Sequence, residues 1–169
     1  MASVLVSETR ASQLDALRRK DAAMMPLGTL LNFDVESVEP GEASVRMDCD
    51  QRHHNVFGYT HGGAIFTLAD TAVGLAHVAT LMDEETGTTV ESKINYLRPA
   101  LGGRLRAQAR CVKRGQNLSF FECDVFDDRE RLIARANATM MTIRDERSAG
   151  RDVLHKAEPE PPPRSKEAL

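Results

Sequence analysis

The chain has 169 residues, of which 41% are hydrophobic and 28% charged, and its formal net charge is −3. This length suits one domain, and the composition is ordinary for a globular protein. The small negative charge excludes the broad basic surface of a nucleic-acid-binding protein, so we expect no nucleic-acid partner.

The N-terminal part is predicted to form a helix followed by a β-hairpin. Apolar residues at helical spacing predict a helix over 11–25, and Pro26 and Gly28 are expected to end it. A first strand is predicted over 30–38. Strict alternation of apolar and polar residues over 43–50 indicates a half-buried second strand that pairs with it.

The most apolar stretch of the chain follows a polar loop at 51–60. Residues 62–82 are apolar on nearly all sides of a helix, which predicts a central helix covered by other elements. The run approaches the length of a membrane span, but Asp70 and His77 lie inside it. We therefore expect a buried helix and no membrane segment.

The C-terminal half is predicted to be four strands and a tail. The strands are expected over 88–97, 104–113, 117–126 and 131–143, with turn residues between them. Beyond residue 143 the apolar periodicity stops and proline and charged residues accumulate, so 144–169 is predicted to be disordered. The order of elements predicts an α+β fold in which one long helix packs on a curved antiparallel sheet.

The cysteines and the N-terminal residues indicate the cellular compartment of the protein. Cys49, Cys111 and Cys123 are odd in number and widely spaced, so we expect neither disulfides nor a metal site. Glu8 and Arg10 interrupt the segment where a signal peptide would need an apolar run. We therefore expect a cytoplasmic protein. We also expect no cofactor.

The start of the central helix carries the candidate chemistry. Gly62 and Gly63 leave backbone N–H groups open at a helix N-terminus, where the helix dipole favours an oxyanion or a carbonyl oxygen. Asp70 lies roughly 12 Å further along that helix. One chain therefore could not place both groups on one carbonyl, and a shared site would need two subunits.

Each of these residues also has a purely structural explanation. The glycines could form a tight turn into the helix, and Asp70 could bond to Thr67, Thr71 or a backbone amide. His61 could pack in its loop, and Asn55 could be a turn residue. The histidines at 53, 54, 61 and 77 show no recognised metal spacing, so we expect no metal.

Taken together, the residues from Asn55 to Asp70 are more specific as a family signature than any one of them alone. It reads Asn55-x-x-Gly58-x-x-His61-Gly62-Gly63-x-x-x-x-Leu68-Ala69-Asp70, and a second stretch runs from Glu91 to Ala100. Both stretches resemble the hotdog-fold acyl-CoA thioesterases of the phenylacetic-acid-degradation (PaaI-like) group. The resemblance covers about residues 27–143 and includes the turn at 113–115. It leaves 1–26 as a helical extension.

This resemblance implies a function and a set of roles. It implies hydrolysis of an acyl-CoA thioester in which Asp70 activates water or attacks the carbonyl directly. Gly62 would donate its N–H to the thioester oxygen with help from Gly63. Asn55 would orient the water or the acyl carbonyl, and His61 would support the site. Thr89, or its neighbour Thr88 in its place, would lie near the carboxylate. In this family two subunits join sheets edge to edge to complete the site, and dimers often pair into homotetramers.

Further residues are candidates for holding the substrate. Basic side chains near the mouth of the site would favour the phosphates of CoA, and aromatic side chains could line the acyl pocket. The basic candidates are Arg98, Lys113 and Arg114, and the aromatic ones are Phe57, Tyr59 and Phe66. Solvated strand ends explain the basic residues equally well, and Phe66 could be ordinary core.

Two other functions compete with the thioesterase. The first is a non-catalytic acyl-CoA-binding or regulatory module on the same fold, although 1–26 is too short for an attached helix-turn-helix domain. The second is a hotdog dehydratase, which resembles a different pattern of histidine and acid. The chain contains no Gly-x-Ser-x-Gly elbow, which disfavours a serine hydrolase. The acyl group is left open.

Overall fold

The computed structural model describes residues 10–19 and 25–144. The helices are α1 (Arg10–Arg18), α2 (Pro26–Leu30) and α3 (Gly62–Val78). The strands are β1 (Phe33–Glu39), β2 (Glu42–Cys49), β3 (Glu85–Tyr96), β4 (Gly103–Arg114), β5 (Leu118–Asp127) and β6 (Leu132–Arg144). The predicted tail lies outside the described residues except for Arg144, which ends β6.

The six strands form one antiparallel sheet that curves around α3. Their order is β1-β2-β4-β5-β6-β3, so β1 and β3 are the two edges. Helix α3 contacts every strand of this sheet. The arrangement confirms the predicted α+β class and the hotdog fold that the resemblance implies.

The spacing of apolar residues explains why α3 lies in the sheet. Its buried residues recur at helical spacing, and the alanines among them let the sheet approach closely. They are Ile65, Leu68, Ala69, Ala72, Val73 and Ala76. They meet the inward-facing residues of β2 and β4, which are Ala43, Val45, Met47, Leu105, Ala107 and Ala109.

The outer face of the sheet carries pairs of opposite charge. Residues that alternate with the core positions project away from α3, and several of them form ion pairs between neighbouring strands or with a turn. These pairs are Arg46–Asp34, Arg104–Asp48, Arg106–Glu130, Arg110–Glu122 and Arg135–Asp124. This face therefore presents a charged surface to solvent.

Several predicted boundaries are wrong, each for a local reason. Leu30 ends a short helix instead of starting a strand, because Pro26 occupies the first turn of α2, where a missing N–H costs nothing. The central helix ends at Val78 and not at residue 82. The predicted turn over 83–87 is partly strand, because the Glu85 carboxylate accepts the Met82 N–H at 3.0 Å and starts β3.

The predicted N-terminal helix is found as α1, which ends at Arg18, and residues 20–24 lie outside the described part of the chain. Among the described helices, none is both long and apolar enough to span a membrane.

Candidate active site

The first turn of α3 is capped by the residue before it. His61 has an extended backbone, and its Nδ1 accepts the N–H of Gly63 at 2.8 Å. An imidazole nitrogen that accepts a hydrogen bond carries no proton, so the neutral ring carries its proton on Nε2. His61 therefore provides an exposed Nε2–H donor at the start of α3.

The N–H groups of this first turn are not equivalent. Those of Ala64 and Ile65 donate to the carbonyl of His61 at 2.9 and 3.2 Å, and that of Gly63 donates to the His61 ring. The Gly62 N–H has no acceptor among the described residues. It is therefore the free backbone donor at the positive end of the helix dipole. In this geometry the Gly63 N–H is already engaged.

A tyrosine from the end of β3 covers Gly62. The Tyr96 hydroxyl donates to the Gly62 carbonyl oxygen at 2.8 Å, across 34 positions of sequence. A Cβ on residue 62 would lie 3.1 Å from Tyr96 Cζ. The close approach of this ring explains the glycine here. Tyr96 was not among the predicted site residues, and only its place in the quoted stretch from Glu91 to Ala100 hinted at it.

Asn55 organises the loop that leads to α3. Its Oδ1 accepts the N–H groups of Phe57 and Tyr59 at 2.9 and 3.2 Å, and its own N–H donates to the Tyr59 carbonyl at 2.8 Å. These two donors fix the orientation of the side-chain amide. The Nδ2 group has no partner among the described residues, so it is the part of Asn55 that a ligand or water can use.

Asp70 lies in the middle of α3, half-buried, and its carboxylate has no hydrogen bond or ion pair within the described chain. The neighbouring threonines do not bind it. Thr67 donates to the Gly63 carbonyl at 2.8 Å and Thr71 donates to the Thr67 carbonyl at 2.7 Å. Burial raises the pKa of the Asp70 carboxyl above the ordinary aspartate value. An unpaired carboxylate of this kind can act as a base or a nucleophile.

The strand register decides between two threonines of β3. Thr89 pairs with Met140, a core residue, whereas Thr88 pairs with Met141. Directly paired residues project to the same face of a sheet, so Thr89 lies on the α3 side. A β-bulge after Thr89 shifts the register, and beyond it Tyr96 also projects to that side.

The aromatic candidates are open to solvent in a single chain. Phe57 is 80% exposed and Tyr59 is 39% exposed, both on the loop that Asn55 holds, and Phe66 is half-buried on α3. None of the three is part of the buried core. They remain candidates for contact with an acyl group or with a second copy of the chain.

The basic candidates do not lie together. Arg98 donates to the Leu132 carbonyl at 2.7 Å and lies two residues after Tyr96, near the start of α3. Arg114 donates to the Thr80 carbonyl at 2.7 Å, beyond the other end of the helix. Helix α3 has 17 residues, so roughly 25 Å separates its ends. Lys113 is exposed beside Arg114.

A cleft elsewhere is a poor alternative site. It has a volume of about 750 Å³ and contains none of the predicted site residues. Its lining includes Glu36, Asp48, Asp50, Asp127, Asp128 and Glu130, against two arginines, Arg104 and Arg106. An excess of carboxylates repels an anionic ligand. In the described part of the chain, no group of three or more His, Cys, Asp or Glu residues could hold a metal.

Comparison with known proteins identifies what this arrangement resembles. The family model described as the Thioesterase superfamily matches residues 57–134. A relative in Listeria monocytogenes, 1,4-dihydroxy-2-naphthoyl-CoA hydrolase, is 27% identical over 116 residues, which are 69% of this chain and 94% of that protein.

Two solved structures extend the comparison. A thioesterase family protein from Silicibacter pomeroyi is 30% identical with a TM-score of 0.70, over 78% of this chain and 99% of that one. A mutant of the phenylacetic acid degradation protein PaaI from Thermus thermophilus is 26% identical with a TM-score of 0.64, over 69% of this chain and 97% of that one. These likenesses cover the sheet and the helix that carry the candidate site.

Proposed function

Because this chain belongs to the thioesterase superfamily and is a thioester hydrolase, we propose that it converts an acyl-CoA to a free acid and CoA. The observation that carries the proposal is on α3. Within the described residues, one helix begins with an N–H at Gly62 that has no acceptor and holds a half-buried carboxylate at Asp70 that has no partner. An acceptor for a proton and a donor to an oxyanion are the two groups that this hydrolysis requires.

The proposed chemistry uses few residues. Asp70 takes a proton from water as the water attacks the thioester carbonyl, or Asp70 attacks that carbon itself to form an anhydride that water then cleaves. The carbonyl oxygen becomes an oxyanion that the Gly62 N–H holds, and the CoA sulfur leaves with a proton. Asn55 Nδ2 orients the water or the carbonyl. Thr89 lies on the face of the sheet that contacts α3, which carries Asp70.

We propose that the site forms between two copies of the chain. Gly62 and Asp70 are eight positions apart on one helix, or roughly 12 Å, too far to act on one carbonyl. Strand β3 is a 12-residue edge that no other described strand covers on its outer side. Such an edge is suited to pairing with a second copy. The resemblance further supports pairing of dimers into a homotetramer.

Different residues are proposed to bind the two ends of the substrate, which are the CoA phosphates and the acyl group. We propose that Arg98, near the start of α3, binds CoA phosphate, and that Lys113 and Arg114 serve this role from the other end of the helix. Phe57, Tyr59 and Phe66 would contact the acyl group. The names of two similar proteins mention a naphthoyl-CoA and phenylacetic acid, which supports an aromatic acyl group.

The free thiols support a cytoplasmic location for this reaction. Cys49, Cys111 and Cys123 are all unpaired, and burial raises the pKa of Cys123 to about 12. Inert, reduced cysteines of this kind are typical of a reducing compartment.

The test is thiol release from a panel of aromatic, short-chain and medium-chain acyl-CoAs. We expect the wild type to hydrolyse one class and Asp70→Asn to lose at least about 100-fold in kcat. The matched control is Asp124→Asn, which removes a carboxylate paired with Arg135 on the outer face and should keep full activity. Binding without hydrolysis by the wild type would instead favour a non-catalytic acyl-CoA-binding module.

The same assay can distinguish the two mechanisms. A single turnover in ¹⁸O-labelled water, with enzyme in excess, places the label in the product acid if water attacks the thioester directly. If Asp70 attacks first and water then cleaves the anhydride at the Asp70 carbon, the label enters the Asp70 carboxylate, where mass spectrometry of the peptide detects it. Label in Asp70 therefore identifies the anhydride route.

A further inference from the structure

The contact between Tyr96 and Gly62 joins the end of β3 to the first turn of α3. The phenol hydroxyl donates to the Gly62 carbonyl at 2.8 Å, and the ring occupies the space where a side chain on residue 62 would lie. Burial raises the pKa of Tyr96, so the hydroxyl stays protonated and remains a donor at neutral pH. The contact therefore combines packing with a directed hydrogen bond.

The free N–H of Gly62 lies between two anchored backbone groups. On one side, the His61 N–H donates to the His53 carbonyl at 2.7 Å. On the other side, the Gly62 carbonyl accepts the Tyr96 hydroxyl. The peptide that carries the Gly62 N–H is itself held by the His61 carbonyl, which accepts the N–H groups of Ala64 and Ile65. The Tyr96 contact adds an anchor on the following peptide, which matters because glycine has more backbone freedom than any other residue. An oxyanion donor is effective only when its direction is fixed before the reaction.

We propose that Tyr96 is a positioning residue that fixes the Gly62 N–H for the thioester oxyanion. This inference rests on the proposed function. Tyr96 acts through the Gly62 peptide and needs no contact with the substrate. Its effect should therefore fall on the chemical step and not on the binding of CoA.

The test compares wild type with Tyr96→Phe on an acyl-CoA that the wild type hydrolyses. Phenylalanine keeps the ring over Gly62 and removes only the hydroxyl. We expect kcat to fall about fivefold, the effect of one hydrogen bond, with KM changed by less than about twofold. The affinity for a thioether analogue of the substrate, which lacks the carbonyl oxygen, should stay unchanged.

A matched control removes a hydroxyl from the opposite end of the helix. Thr80 donates to the His77 carbonyl at 2.7 Å beyond the end of α3, so Thr80→Val loses a comparable bond and should keep kcat. A second variant, Tyr96→Leu, also removes the ring, and we expect a larger loss of kcat than in Tyr96→Phe.

Three outcomes separate the possible failures. An active wild type with equal kcat in Tyr96→Phe would overturn the positioning role and leave the proposed function intact. A parallel loss of thioether affinity and kcat would overturn it as well, because the hydroxyl would then support the whole site. A wild type that hydrolyses no acyl-CoA would remove the proposed function on which the inference rests.

Discussion

The N–H of Gly63 donates to Nδ1 of His61 at 2.8 Å. This bond gives the imidazole two separate tasks, because Nδ1 caps the helix while Nε2–H, on an exposed ring, stays open to a ligand at the start of α3. Removing the whole ring would therefore alter both stability and catalysis. A residue that caps the helix but has no donor at the Nε2 position can separate the two effects.

The two tasks of His61 are tested with alanine and asparagine. His61→Ala should lower the free energy of unfolding by about 1 kcal/mol, the usual value of an N-cap. Asparagine also caps helices, so His61→Asn should restore most of that stability. Because asparagine places no donor where Nε2–H lies, we expect kcat to stay about tenfold low in both variants. Urea denaturation and steady-state kinetics measure these effects, and full recovery of kcat in His61→Asn would reduce His61 to a cap.

The raised pKa of Asp70 predicts how stability depends on pH. Its pKa in the folded protein lies above the unfolded value of about 3.9, so the protonated form is favoured by folding. The stability that this provides is present below the unfolded pKa and is lost as pH rises through the folded pKa. We therefore expect Asp70→Asn to be more stable than wild type at about pH 7.5 and less active.

The pH dependence of the stability difference between Asp70→Asn and wild type tests the direction of this pKa shift. As pH falls from neutral through the raised pKa of Asp70, the carboxyl becomes protonated and the stability advantage of Asp70→Asn in urea denaturation should narrow. The control Asp124→Asn removes an ion-paired carboxylate, so it should be neutral or slightly destabilising at every pH in this range. Lower stability of Asp70→Asn at neutral pH would show that the carboxylate has a partner in the assembled protein.

A site shared by two copies predicts complementation. One chain carries Asp70→Asn, and the other carries Gly62→Pro with Tyr96→Ala, which removes the N–H and makes room for the proline ring. Proline suits the first position of a helix, and the extended His61 backbone is compatible with it. Each homodimer should be inactive, whereas a purified mixed dimer has one intact site and should reach about half the wild-type activity. An inactive mixed dimer would place both residues of one site in one chain.

The assignment of Arg98 to a CoA phosphate predicts a substrate-specific effect. Arg98→Ala should raise KM for the acyl-CoA about tenfold, because a charge-assisted contact is lost. For the corresponding N-acetylcysteamine thioester, which carries the same reactive bond without phosphates, KM should not change. Arg129→Ala removes another exposed guanidinium from the turn between β5 and β6 and serves as the control. Equal effects on both substrates would exclude a phosphate contact.

The parts of the fold that follow from periodicity could be predicted from sequence. The alternation over 43–50 and the apolar run after Gly62 correspond to β2 and α3, because burial selects residues at fixed spacing. The helix α2 was not predicted, since Pro26 was interpreted as the end of a helix when it starts one. A proline permits both, and the choice depends on the packing of Met25 and Phe33 around Gly28.

In the candidate site, residue types could be predicted from sequence, but the contacts between them could not. The residue types of Gly62 and Asp70 pointed to a donor and an acid, but the hydrogen bond that engages the Gly63 N–H depends on the rotamer of His61. Tyr96 was not predicted because its partner is 34 residues away in sequence. The choice of Thr89 over Thr88 required the position of a β-bulge, which shifts every later side chain to the other face.

The charged outer face of the sheet is poorly suited to contact between copies of the chain. Covering the pairs Arg110–Glu122 and Arg135–Asp124 would strip water from four charges, and the attraction within each pair does not reliably compensate for that cost. A tetramer would therefore use a different surface. The outer face therefore stays accessible to solvent. A fluorophore or a solid support can be attached there through an introduced cysteine while the reaction is followed.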